Sequence, residues 1–496
     1  MSAESLPPPV AAAGTAARLR ATSAIAASSA VLIIAGVTRG RVMAAVAGPE
    51  GFGLAGILQS ALVAASTLGA FGLSVTGVRL VAAARAGGPE KVAAARRTTL
   101  TLAVAGGVAA AFTLLVVGRH VGMLLAGRPV GTAALAIIAC GVVAQTVSQA
   151  QSAWLTGHQR IAALASSSIW GAVIGAALAV AALLAAGPHG IPLAVIAPVV
   201  AELGALTWFA RRAIAATPGQ GANAIGAGAR AVLELGAAVT AAGAITTLGQ
   251  LAARGILRAE SGLAGVGNFQ VAWTISMSYL GIVFSAMAVD YYPRLALAAD
   301  APAAGREINA QTRFALRLAA PLILGTMAAA PLVVRWLFAD GFHDAPAILR
   351  WQLLGDVFKI PGWAVGFLLL ARGAGARFLI AETCWTVVYL LVLAWGVGAW
   401  GPVAAGIAFC CAGAVYLLIA QQMVAGLVGF AWEGGTRRLF ALVLAAALSS
   451  LVLAHAGRPG AVLQAVLAVG AAGLWWRAFP ELLRRSVAAP PAAGTA

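Results

Sequence analysis

Few residues in this chain can do chemistry, and most of them stand in the wrong solvent. Arg39 and Arg41 lie inside a long apolar run, shortly before the turn Gly-Pro-Glu-Gly-Phe-Gly at 48–53. Glu202, Glu234, Asp356, Lys359 and Glu382 lie inside other apolar runs, and Arg254, Arg258 and Asp290 stand toward the ends of theirs. A charge in hydrocarbon is costly, so such residues normally face a cavity or one another. An arginine there can grip an anion, because its guanidinium is a planar fork matched to phosphate oxygens. A carboxylate there can carry a coupling proton or pair with an arginine across the bundle.

Arg41 stands about 20 residues into the first apolar run, or about 30 Å along a helix. That puts both arginines near the far boundary of the membrane. They are two apart and do not share a face, so at least one can turn to an internal cavity. The other reading is that they snorkel to the head groups. Asp356 and Lys359 are three apart and are neighbours on one helix face. They read either as a self-neutralising pair or as a substrate or cation site, with Pro361-Gly362 as a bend beside it. Glu202 and Glu382 are candidates for coupling or for charge pairing. Asp290, followed by Tyr291-Tyr292-Pro293, reads as an interfacial anchor. Gln145 and Gln149 share a helix face and suit either the lining of a polar cavity or interhelical hydrogen bonds, packing being the better reading.

The elements that position these residues follow from composition. The chain has 496 residues, 61% of them hydrophobic and 9% charged, with a mean hydropathy of +0.94. So little charge cannot cover a water-soluble surface, and the bilayer must be the solvent. The apolar runs are continuous, which selects helices over the alternating strands of a barrel. The net charge of +17 does not indicate nucleic acid, because the basic residues recur in short loops, as topogenic charges do. Their asymmetry places both termini in the cytoplasm. The four cysteines all fall in apolar segments and read as small hydrophobes. The first residues, MSAESLPPPV, do not have the form of a secretory signal.

The pattern predicts an all-α polytopic membrane protein of about fourteen spans. The expected units are a tail at 1–20, a six-helix half at 21–212, a linker at 213–229, a second six-helix half at 230–430, two further spans at 431–480 and a tail at 481–496. A weak repeat supports two halves: GLAG at 53–56 and again at 262–265, each followed by a glutamine, Gln59 or Gln270. Six-helix repeats are parallel, related by an axis along the membrane normal. The loops are too short for a catalytic domain, and no nucleotide, zinc or nucleophile motif stands in a plausible context. The reading is therefore a transporter without cofactor or metal, not an enzyme.

Two stretches resemble a known family. GRVMAAVAGPEGFGLAGILQS (40–60) is similar to the first hairpin of O-antigen translocases, the Wzx-type lipid-linked oligosaccharide flippases. RWQLLGDVFKIPGWAVGFLLLARGAGARFLIAE (350–382) is similar to their tenth and eleventh helices, above all in the branch that moves enterobacterial common antigen units. The resemblance implies the multidrug/oligosaccharidyl-lipid/polysaccharide exporter fold. It implies an undecaprenyl-pyrophosphate-linked repeat unit as cargo, moved by alternating access from the cytoplasmic to the periplasmic leaflet of the bacterial inner membrane. It implies a basic residue at Arg41 and the Asp-x-x-Lys of Asp356 and Lys359. Arg39 and the two extra C-terminal helices depart from that branch. On this reading Arg41, Lys359, Arg39 and Arg254 hold the pyrophosphate and glycan, and Asp356, Glu202 and Glu382 couple or pair. A polysaccharide polymerase, a chain-length regulator, membrane lipids and H+ or Na+ are the candidate partners. The rivals are a cation-coupled multidrug exporter of the same fold, a membrane polymerase or ligase of lipid-linked glycans, a non-transporting scaffold, and a peptidoglycan-precursor flippase.

Overall fold

In hydrocarbon every backbone N–H must find its partner within its own segment, so apolar runs fold as helices. The computed structural model describes residues 11–127, 130–213, 225–286, 291, 294, 295, 297, 298 and 300–487, and no strand occurs among them. The first half contains α1 (Ala11–Ala70), α2 (Leu73–Arg85), α3 (Pro89–Ala126), α4 (Thr132–Gly157), α5 (Ile161–Ala186) and α6 (Ile191–Ala213). The second contains α7 (Ile225–Ala286), α8 (Ala301–Ala328), α9 (Ala330–Leu337), α10 (Ala345–Ala371), α11 (Gly375–Trp400) and α12 (Ala404–Val428). The chain continues with α13 (Gly434–Leu453) and α14 (Gly457–Val487). Among the described residues seven stretches are long and apolar enough to cross a membrane, and α8 with α9 forms a further span bent by 83°. Three of these stretches hold two helices, and with the bent span, the two arms of α7 and the last helix α14 the protein makes about fourteen passages.

The longest helices double back. At Gly48 the backbone of α1 takes φ 62° and ψ −170°, a combination open to glycine alone. Pro49 then starts the returning arm, where its missing N–H costs nothing. Helix α7 does the same at Gly262, with φ 66° and ψ −176°. The two glycines are 214 residues apart (262 − 48). The same offset relates Gly187 to Gly401 (401 − 187), which take φ 56° and 55° at the 3-10 turns joining α5 to α6 and α11 to α12. It also carries the start of α5 onto that of α11 (375 − 161). One register therefore relates the halves throughout. The GLAG pair stands 209 apart (262 − 53) and is out of that register by about a helical turn, because it marks similar words rather than equivalent backbone.

The halves touch at the hairpin end. A Cβ on Gly53 would lie 2.1 Å from the Leu263 carbonyl oxygen, and one on Gly267 would lie 2.0 Å from that of Pro49. These two contacts exchange under the 214-residue register, so they mark the pseudo-symmetry axis. Phe52 adds its ring edge to Phe338 and Phe342, with centroids 5.4 and 5.7 Å away. Asn268 Oδ1 accepts the N–H groups of Asp344 and Ala345 at 3.1 and 3.0 Å, which caps the start of α10.

The C-terminal pair packs on α8. Arg313 binds the Glu433 carboxylate, and Asn309 donates to the Ala431 carbonyl while accepting the N–H of Glu433. Some boundaries differ from those read in the sequence. Helix α1 begins at Ala11, within the expected tail, and α7 at Ile225, within the expected linker; α14 reaches Val487. Alanine-rich flanks extend the helices there. Of the cysteines, Cys410 is buried, whereas Cys140 and Cys411 are exposed on the bundle.

Candidate functional site: a cation–aromatic ring behind a polar cavity

Between the halves, next to the hairpin contact, lies a cavity of about 80 Å³. Its polar lining is Arg39 and Gln59 from α1 with Gln270 and Thr274 from α7. Both reversed helices therefore contribute an arm to it. Gly56 is small for a reason: a Cβ there would meet Gln270 Oε1 at 2.8 Å.

Behind Gln270 lies Arg254, which is only 3% exposed. Its Nε and Nη2 donate to Gln270 Oε1 at 3.2 and 2.7 Å, and its Nη1 donates to the Gln250 carbonyl at 3.0 Å. It makes no ion pair with a carboxylate among the described residues. Arginine has only donors, so it holds the amide oxygen of Gln270 and leaves the amide NH2 as that side chain's donor. The guanidinium also lies 5.3 Å from the ring centroid of Phe269 and 6.0 Å from that of Trp273.

From Arg254 a ring of contacts runs through the second half. Trp273 meets Phe409 edge to face at 5.9 Å. Phe409 lies 4.8 Å from the Lys359 ammonium, which also faces Trp385 at 5.6 Å and Trp363 at 5.7 Å. Trp385 stacks on Tyr389 at 5.2 Å with the planes 10° apart, and the Tyr389 phenol lies within electrostatic reach of Arg254 without a hydrogen bond to it. Cation–ring attraction contributes about 0.5–2 kcal/mol per contact when desolvated. That offsets part of the several kcal/mol that burying an unpaired ion costs. The ring leaves polar atoms to spare: Trp385 Nε1 and Tyr389 Oη are buried without a hydrogen-bond partner among the described residues.

The carboxylates stand around the ring. Asp356 is wholly buried, and its Oδ2 accepts the Ser276 hydroxyl at 2.8 Å. Glu382 accepts the Tyr416 hydroxyl, and Gly362 and Gly366 leave room for that tyrosine. Both carboxylates act on Lys359 through the field. Asp356 and Lys359 share a helix, as their spacing requires, but the lysine turns to the rings and the aspartate to α7.

Of the residues singled out in the sequence, Arg39 lines the cavity, Arg254 stands behind its Gln270, and Asp356, Lys359 and Glu382 stand on or around the aromatic groups of the second half. Arg41 does neither. It is exposed, donates to the Trp336 carbonyl, and lines an open cleft of about 500 Å³ with Arg335 and Asp340. Glu202 lies on α6 against Gly171 of α5, away from the ring. Gln145 is half-buried on α4. Asp290 and the side chain of Glu234 lie outside the described residues. The sequence reading noted Gln270 only as part of the repeat and passed over Trp273, Trp385, Tyr389 and Phe409. Their signal was mid-helix position: Trp385 and Tyr389 stand well inside α11, away from the boundary that tryptophan usually marks.

Paired six-helix halves define the class: a multi-pass helical membrane protein with the multidrug/oligosaccharidyl-lipid/polysaccharide exporter fold. The fold matches an inward-facing multidrug transporter of the MATE family with a TM-score of 0.68 at 16% identity, covering 80% of this chain and 94% of that one. It matches the lipid II flippase MurJ in an inward closed conformation with a TM-score of 0.69 at 12% identity, covering 93% and 99%. The model of the polysaccharide biosynthesis protein family matches residues 21–297, more than half of the chain, which belongs to that family. The lipid III flippases of Escherichia coli (strain K12) and Shigella flexneri are each 24% identical over 163 residues, 33% of this chain. The match spans 39% of the length of those relatives. These relatives are flippases and transporters, not catalytic enzymes.

Proposed function

We propose that the chain flips an undecaprenyl-pyrophosphate-linked oligosaccharide, an O-antigen or related surface-polysaccharide unit, from the cytoplasmic to the periplasmic leaflet of the bacterial inner membrane. The observation that carries this reading is Arg254, a buried guanidinium that no described carboxylate neutralises, set behind a cavity whose other cation is Arg39. Such an arrangement is costly in an empty protein and favourable once an anion arrives. The pyrophosphate meets Arg39 and the amide NH2 of Gln270 first. Arg254 and Lys359 lend their field from behind and become accessible as the halves rock. Trp385 and Tyr389 bring an indole N–H and a phenol O–H to the same place, which suits the hydroxyls of a sugar.

The polyprenyl tail stays in lipid, and the head group is shielded from about 30 Å of hydrocarbon. The contact between Gly53 and Gly267 closes the periplasmic side, with both termini in the cytoplasm. Asp356, Glu382 and Glu202 are the groups that would bind a coupling H+ or Na+. An inside-negative potential favours outward passage of an anion by about 2.3 kcal/mol per charge at 100 mV. The polymerase and chain-length regulator are the partners that would take over the product. A buried Arg254 and a half-buried Lys359 repel the organic cations that a multidrug exporter carries, which disfavours that rival.

The test is a proteoliposome assay with a fluorescent undecaprenyl-pyrophosphate glycan, following its accessibility to an external quencher. Transfer by the parent and its loss in Arg39→Ala support the reading. Efflux of an organic cation without glycan transfer contradicts it.

A further inference from the structure

Three arginines and a histidine converge at the end of the first half opposite the hairpin contact. Arg85 closes α2, Arg96 lies near the start of α3, and His158, Gln159 and Arg160 form the turn between α4 and α5. Arg85 donates to the Gly157 carbonyl at 3.3 Å. The guanidinium of Arg96 lies 5.0 Å from the ring centroid of Trp154, and the His158 ring packs on the same indole at 4.1 Å. Trp154 is 2% exposed, and its Nε1 has no hydrogen-bond partner among the described residues. None of the three arginines forms an ion pair with a carboxylate among the described residues.

The hairpin architecture does not require this cluster. In the 214-residue register (372 − 158), Arg85, Arg96 and Arg160 correspond to Ala299, Ala310 and Ala374, and Trp154 corresponds to Leu368. The second half makes the equivalent turn with Gly373 at φ 70°, whereas the first half holds Gln159 at φ 57°. A side chain in that region is strained where glycine is not. Charges that only set topology need to be numerous; they have no reason to gather around one histidine that packs on a buried tryptophan.

We propose that this cluster is a binding site for the phosphate group of an anionic membrane lipid, separate from the transport cavity. The arginines supply charge-assisted donors, and the site sits where helix ends meet the head-group layer. His158 supplies the last donor. Its Nδ1 lies 2.9 Å from the Trp154 carbonyl. A carbonyl only accepts, so Nδ1 carries the proton and Nε2 is left for the ligand. Burial first, and then Arg85, Arg160 and Arg96, holds this imidazole below its ordinary pKa of 6.5, against the opposing bond to the Trp154 carbonyl. A phosphate would stabilise the protonated ring. Affinity therefore rises as pH falls through that lowered range.

The test is binding of a fluorescent phosphatidylglycerol to the purified full-length protein in detergent, with phosphatidylcholine and inorganic phosphate as competitors. Phosphatidylglycerol should bind more tightly at pH 5 than at pH 8, and phosphatidylcholine should not displace it. Arg96→Gln and Arg160→Ala should each weaken it by about tenfold, the scale of one charge-assisted bond, while Arg377→Ala, an exposed arginine elsewhere, should not. Arg160 is exposed, so its removal leaves the fold intact. His158→Gln should remove the pH dependence and retain binding. Displacement by inorganic phosphate at low concentration would assign the same site to a soluble phosphate rather than a lipid. Equal loss in Arg377→Ala, or unchanged binding in Arg96→Gln and Arg160→Ala, would overturn the proposal.

Discussion

The two halves share one backbone and almost none of their chemistry. In the 214-residue register (359 − 145), Lys359 corresponds to Gln145, Asp356 to Val142 and Arg254 to Gly40. Trp385 corresponds to Gly171, Tyr389 to Gly175 and Phe409 to Val195. The glycines of the first half let α5 and α6 touch: a Cβ on Gly171 would meet Glu202 Cα at 2.8 Å, and one on Gly175 would meet Pro198 Cα at 2.5 Å. The second half spends the same volume on rings that hold two cations. Each half keeps one carboxylate at the same level, but on opposite helices of the pair, because Glu202 corresponds to Tyr416 and Glu382 to Ser168. Symmetry provides two rigid bodies that can rock about a shared axis. Asymmetry provides a place for the cargo's charge.

The comparison can be broken by erasing the difference. Arg254→Met removes two bonds to Gln270, each worth about 1.5–3 kcal/mol when one partner is charged. Flipping in proteoliposomes should slow by roughly 100-fold. The thermal midpoint in detergent should stay equal or rise, since an apolar residue replaces an unpaired buried ion. A large loss of stability with flipping retained would reverse the reading. Copying Tyr389 into the first half, as Gly175→Tyr, drives a ring into the α6 backbone. It should cost about 3 kcal/mol or more, visible as loss of folded protein on size exclusion; normal folding would show that α5 and α6 are not locked together. Asn268→Ala strips one buried and one partly buried N–H group of their acceptor at the start of α10. It should lower stability by about 1–3 kcal/mol, measured by thermal melt. Arg41→Ala is the smallest change. It removes one exposed hydrogen bond, worth about 1 kcal/mol or less, and undecaprenyl pyrophosphate should bind with parental affinity.

The membrane class, the helical fold and the two halves were legible in the sequence because hydropathy reports solvent directly. The Gly48 reversal was legible too, since Gly-Pro-Glu-Gly in an apolar run has few alternatives. What lay hidden was direction around each helix. Helix α1 spreads its apolar residues evenly around its axis, so no stripe says which face is internal. The sequence therefore favoured Arg41, although it is Arg39 that lines the cavity while Arg41 turns to α9. The aromatic ring was hidden for the same reason, and because tryptophan in a membrane protein reads first as belt: Trp336, Trp395 and Trp400 are exposed, as a belt residue is. The repeat register was hidden by sequence drift; backbone dihedrals at Gly48, Gly187, Gly262 and Gly401 keep what the side chains lost. The His158 cluster joins residues 75 apart in the chain (160 − 85), a meeting that no local pattern announces.

The central claim is that Arg254 and Lys359, which have no counterpart in the first half, hold the anionic head group behind Arg39. Equilibrium binding of undecaprenyl pyrophosphate, carrying no sugar, tests it most directly, in the parent and in Arg254→Met, Lys359→Met and Gln145→Leu. The account predicts weaker binding by about tenfold or more in the first two, on the scale of a charge-assisted contact, and no change in Gln145→Leu. Unchanged binding in Arg254→Met and Lys359→Met, or equal loss in Gln145→Leu, would contradict it.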